Sequence, residues 1–330
     1  MPKIVRFHQT GPADVLRIED LLLAEPKDNE VRIKVEAIGL NRAESMFRMG
    51  AYLEAPTFPS RIGLEAAGIV DAVGKGVTNV RIGDRVGTVP SFSMSSHGVY
   101  GESAIVPAHA VARYPASLSP AQGSAIWTQY LTVWGAFVHH AKLRAGQSVL
   151  ITAASSSVGL AAIEIANLLG AKPIAVTRTS AKKKALLDLG AAEVIASAEE
   201  DLPAAVRRHT NDEGADLIFD PVAGSLVAIL AECAARGGQI IEYGWLSGEP
   251  TPFPLFPAFQ KGLVIRGYTL YEFVTDPAVR PEAEHFVFQH LEQGKLRPKI
   301  DRMFPLNEIV EAHRYLEANQ QIGKVVVTVA

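Results

Sequence analysis

The chain of 330 residues carries one cysteine, Cys233. A single thiol excludes an intrachain disulfide and any thiolate-rich zinc site. An excess of charge is also missing: 32 Lys and Arg stand against 35 Asp and Glu, a net of −3. That balance leaves no electrostatic footprint for nucleic acid or an anionic membrane surface, so neither partner is expected. No apolar run reaches transmembrane length, and the opening Met-Pro-Lys-Ile-Val-Arg has no signal core, so a cytoplasmic location is expected. Internal repeats and low-complexity segments are absent as well. What the chain does have is apolar mass, 48% of its residues. That is enough for substantial cores, and the length suits two domains.

The first third reads as β structure. Short apolar-rich runs at 1–7, 16–23, 30–39, 68–74 and 84–89 are separated by Gly, Pro and Asp turns. A boundary falls at 115–120, followed by helices over 120–128 and 131–140. From Gly146 the pattern changes to alternating strand and helix. Strands are expected at 148–153, 173–177, 193–195, 216–219, 238–243 and 263–267, with helices at 158–169, 180–189, 201–210 and 224–235. That alternation predicts a parallel, doubly wound sheet. Late helices at 280–293 and 306–317 and a strand at 324–329 close the chain.

The most informative stretch runs from Ser148 to Arg178. A buried strand, a turn of small residues (Ala154-Ser155-Ser156-Ser157), an apolar helix opened by Val158-Gly159 and a second strand form a dinucleotide-binding unit. Of the usual three glycines only Gly159 remains, with Ala154 and Ser156 at the first two positions. Small residues let the backbone approach a pyrophosphate, and a helix N-terminus offers unpaired N–H groups. No acid stands at Thr177 or Arg178, where NAD selection would need one. Arg178, with Lys182, Lys183 and Lys184 beyond it, instead suits a 2′-phosphate. The unit points to NADP(H).

Seven motifs in order carry a resemblance. They are Gly39-Leu-Asn41, Gly63-Leu-Glu-Ala-Ala-Gly68, Val73-Gly-Lys-Gly-Val77, Gly83-Asp-Arg-Val-Gly87, Ala153-Ala-Ser-Ser-Ser-Val-Gly159, Glu311-Ala-His-Arg314 and Gly323-Lys-Val-Val-Val327. Together they resemble the medium-chain dehydrogenase/reductase superfamily, in its zinc-free quinone oxidoreductase (zeta-crystallin-like) branch. The resemblance implies an α/β architecture: a Rossmann doubly wound parallel sheet inserted in a GroES-like β-barrel catalytic domain. The catalytic domain would take residues 1–122 and 270–330, the Rossmann domain 123–269, with a substrate cleft between them. It also implies a homodimer, which the strand at 263–267 could form by edge-to-edge pairing. Where zinc-dependent relatives place Cys, His and Cys, this chain aligns Asn41, Leu64 and Thr128 or a neighbour, and the four-cysteine lobe is missing. Such a set lacks the donors zinc wants, and Glu65 alone makes no site, so no metal is expected. His139 and His140 are adjacent on a helix and their rings should diverge; His285 and His290 share no face well.

The resemblance also assigns residues. Asn41 falls beside the nicotinamide ribose or the substrate carbonyl, and Tyr52 at the substrate mouth. Glu44 stands where an aspartate is common; Tyr130 and Trp127 read as pocket walls. Ser155, Ser157, Val158 and Gly159 would meet the pyrophosphate, and Thr177, Arg178 and Lys182 the 2′-phosphate. Ser197 replaces a tyrosine that helps hold that phosphate. Asn319 falls near the adenine, and Thr132 and Tyr243 near the ribose and nicotinamide. The expected chemistry is hydride transfer from NADPH to a quinone or an activated α,β-unsaturated carbonyl, with the proton drawn from water. An enoyl-thioester reductase, with Arg42 and Arg48 as a basic rim, and a non-catalytic NADPH-binding protein with a structural or RNA-binding role stand as alternatives. The proline-rich segment 250–257 reads as a lid or a spacer.

Overall fold

The computed structural model describes residues 1–329. The chain divides into two compact units, one of Met1–Gln129 with Phe273 onward, the other of Tyr130–Glu272.

In the first unit, a seven-stranded sheet is centred on the ten-residue strand Glu30–Gly39. Val31, Ile33 and Val35 are buried in the alternation expected of a strand with one face on a core, and after a register shift between Val35 and Ala37 the buried set resumes at Ile38. Glu65–Val73 pairs antiparallel on one side, and the closing strand Lys324–Thr328 pairs antiparallel with its far end, Val326 opposite Gly39. The C-terminal segment therefore returns to the first domain's sheet, where it also pairs in parallel with Ile300–Pro305. Gly39 is needed at this junction: a Cβ there would stand 1.8 Å from the Ser124 carbonyl oxygen and 2.7 Å from Lys324 Cε. The helix Arg42–Arg48 follows directly and turns Asn41 and Glu44 inward under the sheet.

The expected boundary at 122/123 falls seven residues before the observed division at Gln129/Tyr130. Residues 120–128 stay with the first unit because they pack on its sheet. Trp127 lies against Gly87, and the Thr128 N–H donates to Glu65 Oε1 at 3.1 Å.

The second unit is a six-stranded parallel sheet. Its order is Glu193–Ala196, Lys172–Thr177, Ser148–Ile151, Ala215–Asp220, Ala234–Glu242 and Val264–Gly267. Apolar strands buried on both faces follow from helices covering both sides. The direction of strand addition reverses between Ser148–Ile151 and Ala215–Asp220, where ligands of such sheets bind at the carboxyl ends. The expected strand–helix alternation is realised, with the helix Ser157–Leu168 between the first two strands.

One local expectation fails. The helix Trp127–Trp134 ends in a π-helical turn, Gly135–His140, and the wider turn brings the rings of His139 and His140 edge to face, centroids 4.8 Å apart. His139 stacks on Trp134, while His140 Nδ1 accepts from Arg266 at 2.9 Å and its ring packs on Tyr268. The rings meet instead of diverging, although His139 stays exposed at the helix surface. The segment 250–257 is extended up to Pro254 and then enters the helix Leu255–Lys261.

Candidate functional site

In the first unit the polar side chains converge on Asn41. It precedes the helix Arg42–Arg48, and Glu44 on the first turn accepts hydrogen bonds from the Asn41 backbone N–H and, at 3.2 Å, from its Nδ2. The second Nδ2 hydrogen goes to the Gly39 carbonyl at 3.1 Å. Asn41 Oδ1 accepts from Lys324 Nζ at 2.7 Å, and the same ammonium donates to Glu65 Oε2 at 2.6 Å. Lys324, Glu65 and Glu44 are fully buried, and Asn41 is 8% exposed. Both amide donors of Asn41 are therefore spent within the chain, and what it can offer a ligand is the remaining lone pair of Oδ1.

Glu44 also accepts from the Leu64 N–H at 3.0 Å. Burial pushes its carboxyl up to about 7, against the opposing pull of Lys324 and the N–H donors. Glu65, which in the sequence stood without companions, is one half of a buried ion pair. Lys324 lay in a recognised motif, but nothing in the sequence signalled that a lysine in an otherwise apolar closing strand would be drawn to the acid across the sheet.

The donor set at these positions does not fit a zinc ion. Leu64 is apolar and buried, Asn41 and Glu65 are bridged by an ammonium, and neither thiolate nor imidazole is present among them. Among the described residues, no group of three or more His, Cys, Asp or Glu is placed to hold a metal.

Tyr52 packs partly buried against the first unit's core. Asn319 is exposed and left-handed (φ 57°) just past the helix Ile309–Glu317, a conformation asparagine tolerates at a helix end. Arg48 does not form an exposed basic rim with Arg42. It is fully buried and ion-paired to Glu317, and Arg42 donates to the Leu316 carbonyl. The helix they share turns both toward Ile309–Glu317, so that expectation is corrected.

In the second unit, the small residues of the first turn hold the helix N-terminus close to the sheet. Ser156 caps Ser157–Leu168 by accepting from the Gly159 N–H at 3.0 Å. Ser157 and Val158, as the first helical residues, keep N–H groups with no intrahelical acceptor. Gly159 is required by packing: a Cβ would stand 2.6 Å from the Ala154 backbone. Ala154 is itself tied to the next strand through the Val176 carbonyl. Lys182 reaches back to this turn and donates to Ser155 Oγ at 3.0 Å. Thr177 ends the second strand, and Arg178 beyond it is exposed, with no carboxylate partner among the described residues. Lys184 is engaged elsewhere, with Asp188, and Ser197 Oγ donates to the Thr177 carbonyl. The turn thus brings the Lys182 ammonium to the N–H groups of a helix start, with Arg178 just past the end of the next strand.

Tyr130 is fully buried with its hydroxyl donating to Glu164 at 2.8 Å, and Thr132, two residues on in the same helix, is 8% exposed. Tyr243 stacks on Phe219, ring centroids 3.9 Å apart, and burial drives its hydroxyl well above the usual phenol range. Sequence reasoning passed over its neighbours at the strand ends. Asp220 and Glu242 are in register on adjacent strands, and Asp220 accepts from Thr152 Oγ1 and the Ala223 N–H. Burial, and then the adjacent Asp220, push the Glu242 carboxyl up to about 9, so Glu242 holds its proton at neutral pH. Each acid sits at the end of its strand, far from the other in sequence, and only the register of the sheet brings them side by side.

Known proteins match this geometry over nearly the whole chain. The family model for the alcohol dehydrogenase GroES-like domain covers residues 27–116, and that for zinc-binding dehydrogenases covers 157–288. The quinone oxidoreductase of Homo sapiens is 32% identical over 315 residues, 94% of this chain and 92% of that protein. The crystal structure of Escherichia coli quinone oxidoreductase complexed with NADPH superposes with a TM-score of 0.92 at 29% identity, covering 99% of each chain. An NAD-dependent alcohol dehydrogenase superposes equally well, TM-score 0.92 at 31% identity, over 99% of this chain and 100% of that one.

Proposed function

The chain belongs to the medium-chain dehydrogenase/reductase superfamily, in its quinone oxidoreductase branch, and from that premise we propose that it is an NADPH-dependent reductase of quinones or activated α,β-unsaturated carbonyls, working without a metal. The observation that carries this reading is the Lys324 bridge between Asn41 and Glu65. Where zinc-dependent relatives would polarise an alcohol, this site has a neutralised carboxylate, an amide and a leucine. Nothing in that set lowers an alcohol's pKa, so the acceptor must already be electrophilic.

The cofactor supplies hydride when bound. The turn 155–159 provides N–H groups and hydroxyls for a pyrophosphate, with the close approach that Gly159 permits. Arg178 is the cation assigned to a 2′-phosphate, and Lys182 adds a second positive charge at Ser155. Both fit NADPH better than NADH. Tyr243 and Thr132 are assigned to the nicotinamide end of the cofactor. In the first unit, Glu44 and Lys324 hold Asn41 from both sides, which fixes the orientation of its amide for an acceptor. Tyr52 orients the acceptor by its ring or hydroxyl. The proton that completes reduction comes from solvent, since no exposed acid stands at Asn41.

Arg48 being buried weakens the case for an acceptor carried on a polyphosphate thioester, because the basic rim it would need is not formed there. The test is NADPH oxidation against benzoquinones, an ortho-quinone and a simple enone. Turnover supports the reading. Tight NADPH binding with no turnover on any acceptor favours the non-catalytic alternative.

A further inference from the structure

The loop that carries Tyr52 has almost no structure of its own. Among the described residues, no backbone–backbone hydrogen bond involves 52–59, and the loop leaves Leu53 and Phe58 exposed to solvent. Yet it is tied to a segment far along the chain, chiefly through one carboxylate. Glu54 Oε1 accepts from Ser93 Oγ at 2.5 Å and from the Ser95 N–H at 3.3 Å, and its Oε2 accepts from the Met94 N–H at 3.0 Å. Ser95 answers from the other side: its Oγ accepts from the Thr57 N–H at 3.1 Å and lies 3.2 Å from Ser60 Oγ. A carboxylate facing the unpaired N–H groups of a short helical turn makes charge-assisted bonds, stronger than the neutral contacts around it.

We propose that Glu54 is a positioning residue for the acceptor site, a latch that fastens the Tyr52 loop to the segment Ser93–Ser96 and so sets acceptor affinity. This rests on the reductase reading, in which Tyr52 orients the acceptor. The latch explains how an irregular, apolar loop keeps one shape: ordering it before the acceptor arrives lowers the entropy cost of binding. The apolar side chains Met49, Leu53 and Phe58 that the same loop presents suit a flat, uncharged acceptor over an ionic one. Glu54 touches neither cofactor nor acceptor in this account. Its effect therefore falls on acceptor binding and spares both the hydride step and NADPH.

The test compares wild type with Glu54→Ala, Glu54→Gln and the double variant Ser93→Ala/Ser95→Ala, using 1,4-benzoquinone. Glu54→Ala should raise the quinone KM roughly tenfold while kcat stays within about twofold and NADPH affinity is unchanged, the pattern of lost uniform binding. Glu54→Gln should fall between, and the serine double variant should reproduce Glu54→Ala and add little to it. Amide hydrogen exchange over 52–57 should accelerate in each variant in the same order. Unchanged KM in Glu54→Ala, with wild type active, overturns the assignment. A matching fall in kcat with no change in KM overturns it too, since the residue would then act on the chemical step. If wild type reduces no acceptor, the reductase reading fails and takes the claim on affinity with it. Exchange then judges the latch by itself: unchanged exchange in Glu54→Ala overturns it, and faster exchange upholds it.

Discussion

Single residues decide two questions here, which cofactor is taken and whether a metal is needed. Arg178 is exposed and unpaired by any carboxylate, placed just past the strand Lys172–Thr177. Arg178→Asp should therefore raise the NADPH KM by at least about tenfold and leave NADH use unchanged or improved, read from initial rates with each cofactor. Lys324 is the counterpart in the first unit. Lys324→Met leaves Glu65 buried without its partner, and a broken buried ion pair typically costs about 3–5 kcal/mol. Denaturant unfolding should show that loss directly. Arg178 was legible in the sequence because cofactor choice follows a position counted from the glycine turn. The Lys324–Glu65 pair was not, because two charges far apart in sequence meet only when the closing strand crosses to Glu30–Gly39.

At the scale of elements, spacing in the sequence predicted the second unit well. Its strands run apolar through their length and its turns carry small residues, so each boundary is written locally. The helix Arg42–Arg48 and the short strands Ser103–Pro107 and Val111–Arg113 were not anticipated, because their signals are brief and their pairing is distant. The turn at Gly159 shows how tightly an element can be held. Gly159→Ala should weaken NADPH binding and lower the melting temperature together, measured by cofactor titration and thermal unfolding, since the helix must retreat from Ala154. The strand ends yield a pH effect. Glu242 keeps its proton in the fold up to about 9 and releases it far lower when unfolded. Between those limits the folded state binds more protons, so this group's contribution to stability falls as pH rises. Glu242→Gln removes that slope. The variant should be more stable than wild type, by a margin that grows from pH 5 to pH 9, and unfolding midpoints across that range will show it.

For the whole molecule, the parallel, doubly wound sheet and the return of the C-terminal strand to the first unit both match what the sequence implied. The family follows from the full-length similarity, and no helix of the described residues is long and apolar enough to cross a membrane. We propose a homodimer paired through the edge strand Val264–Gly267. It closes the six-stranded sheet on one side, and the preceding helix exposes Phe256 and Phe259. Light scattering after gel filtration should give twice the chain mass, and Phe256→Glu should shift it toward one. The central claim is metal-free reduction with NADPH, and one assay addresses it most directly: NADPH oxidation by the purified protein with 1,4-benzoquinone, run with NADH in parallel and with a chelator. The account predicts turnover with NADPH, little with NADH, and no change on chelation. Activity that the chelator abolishes and zinc restores would contradict it.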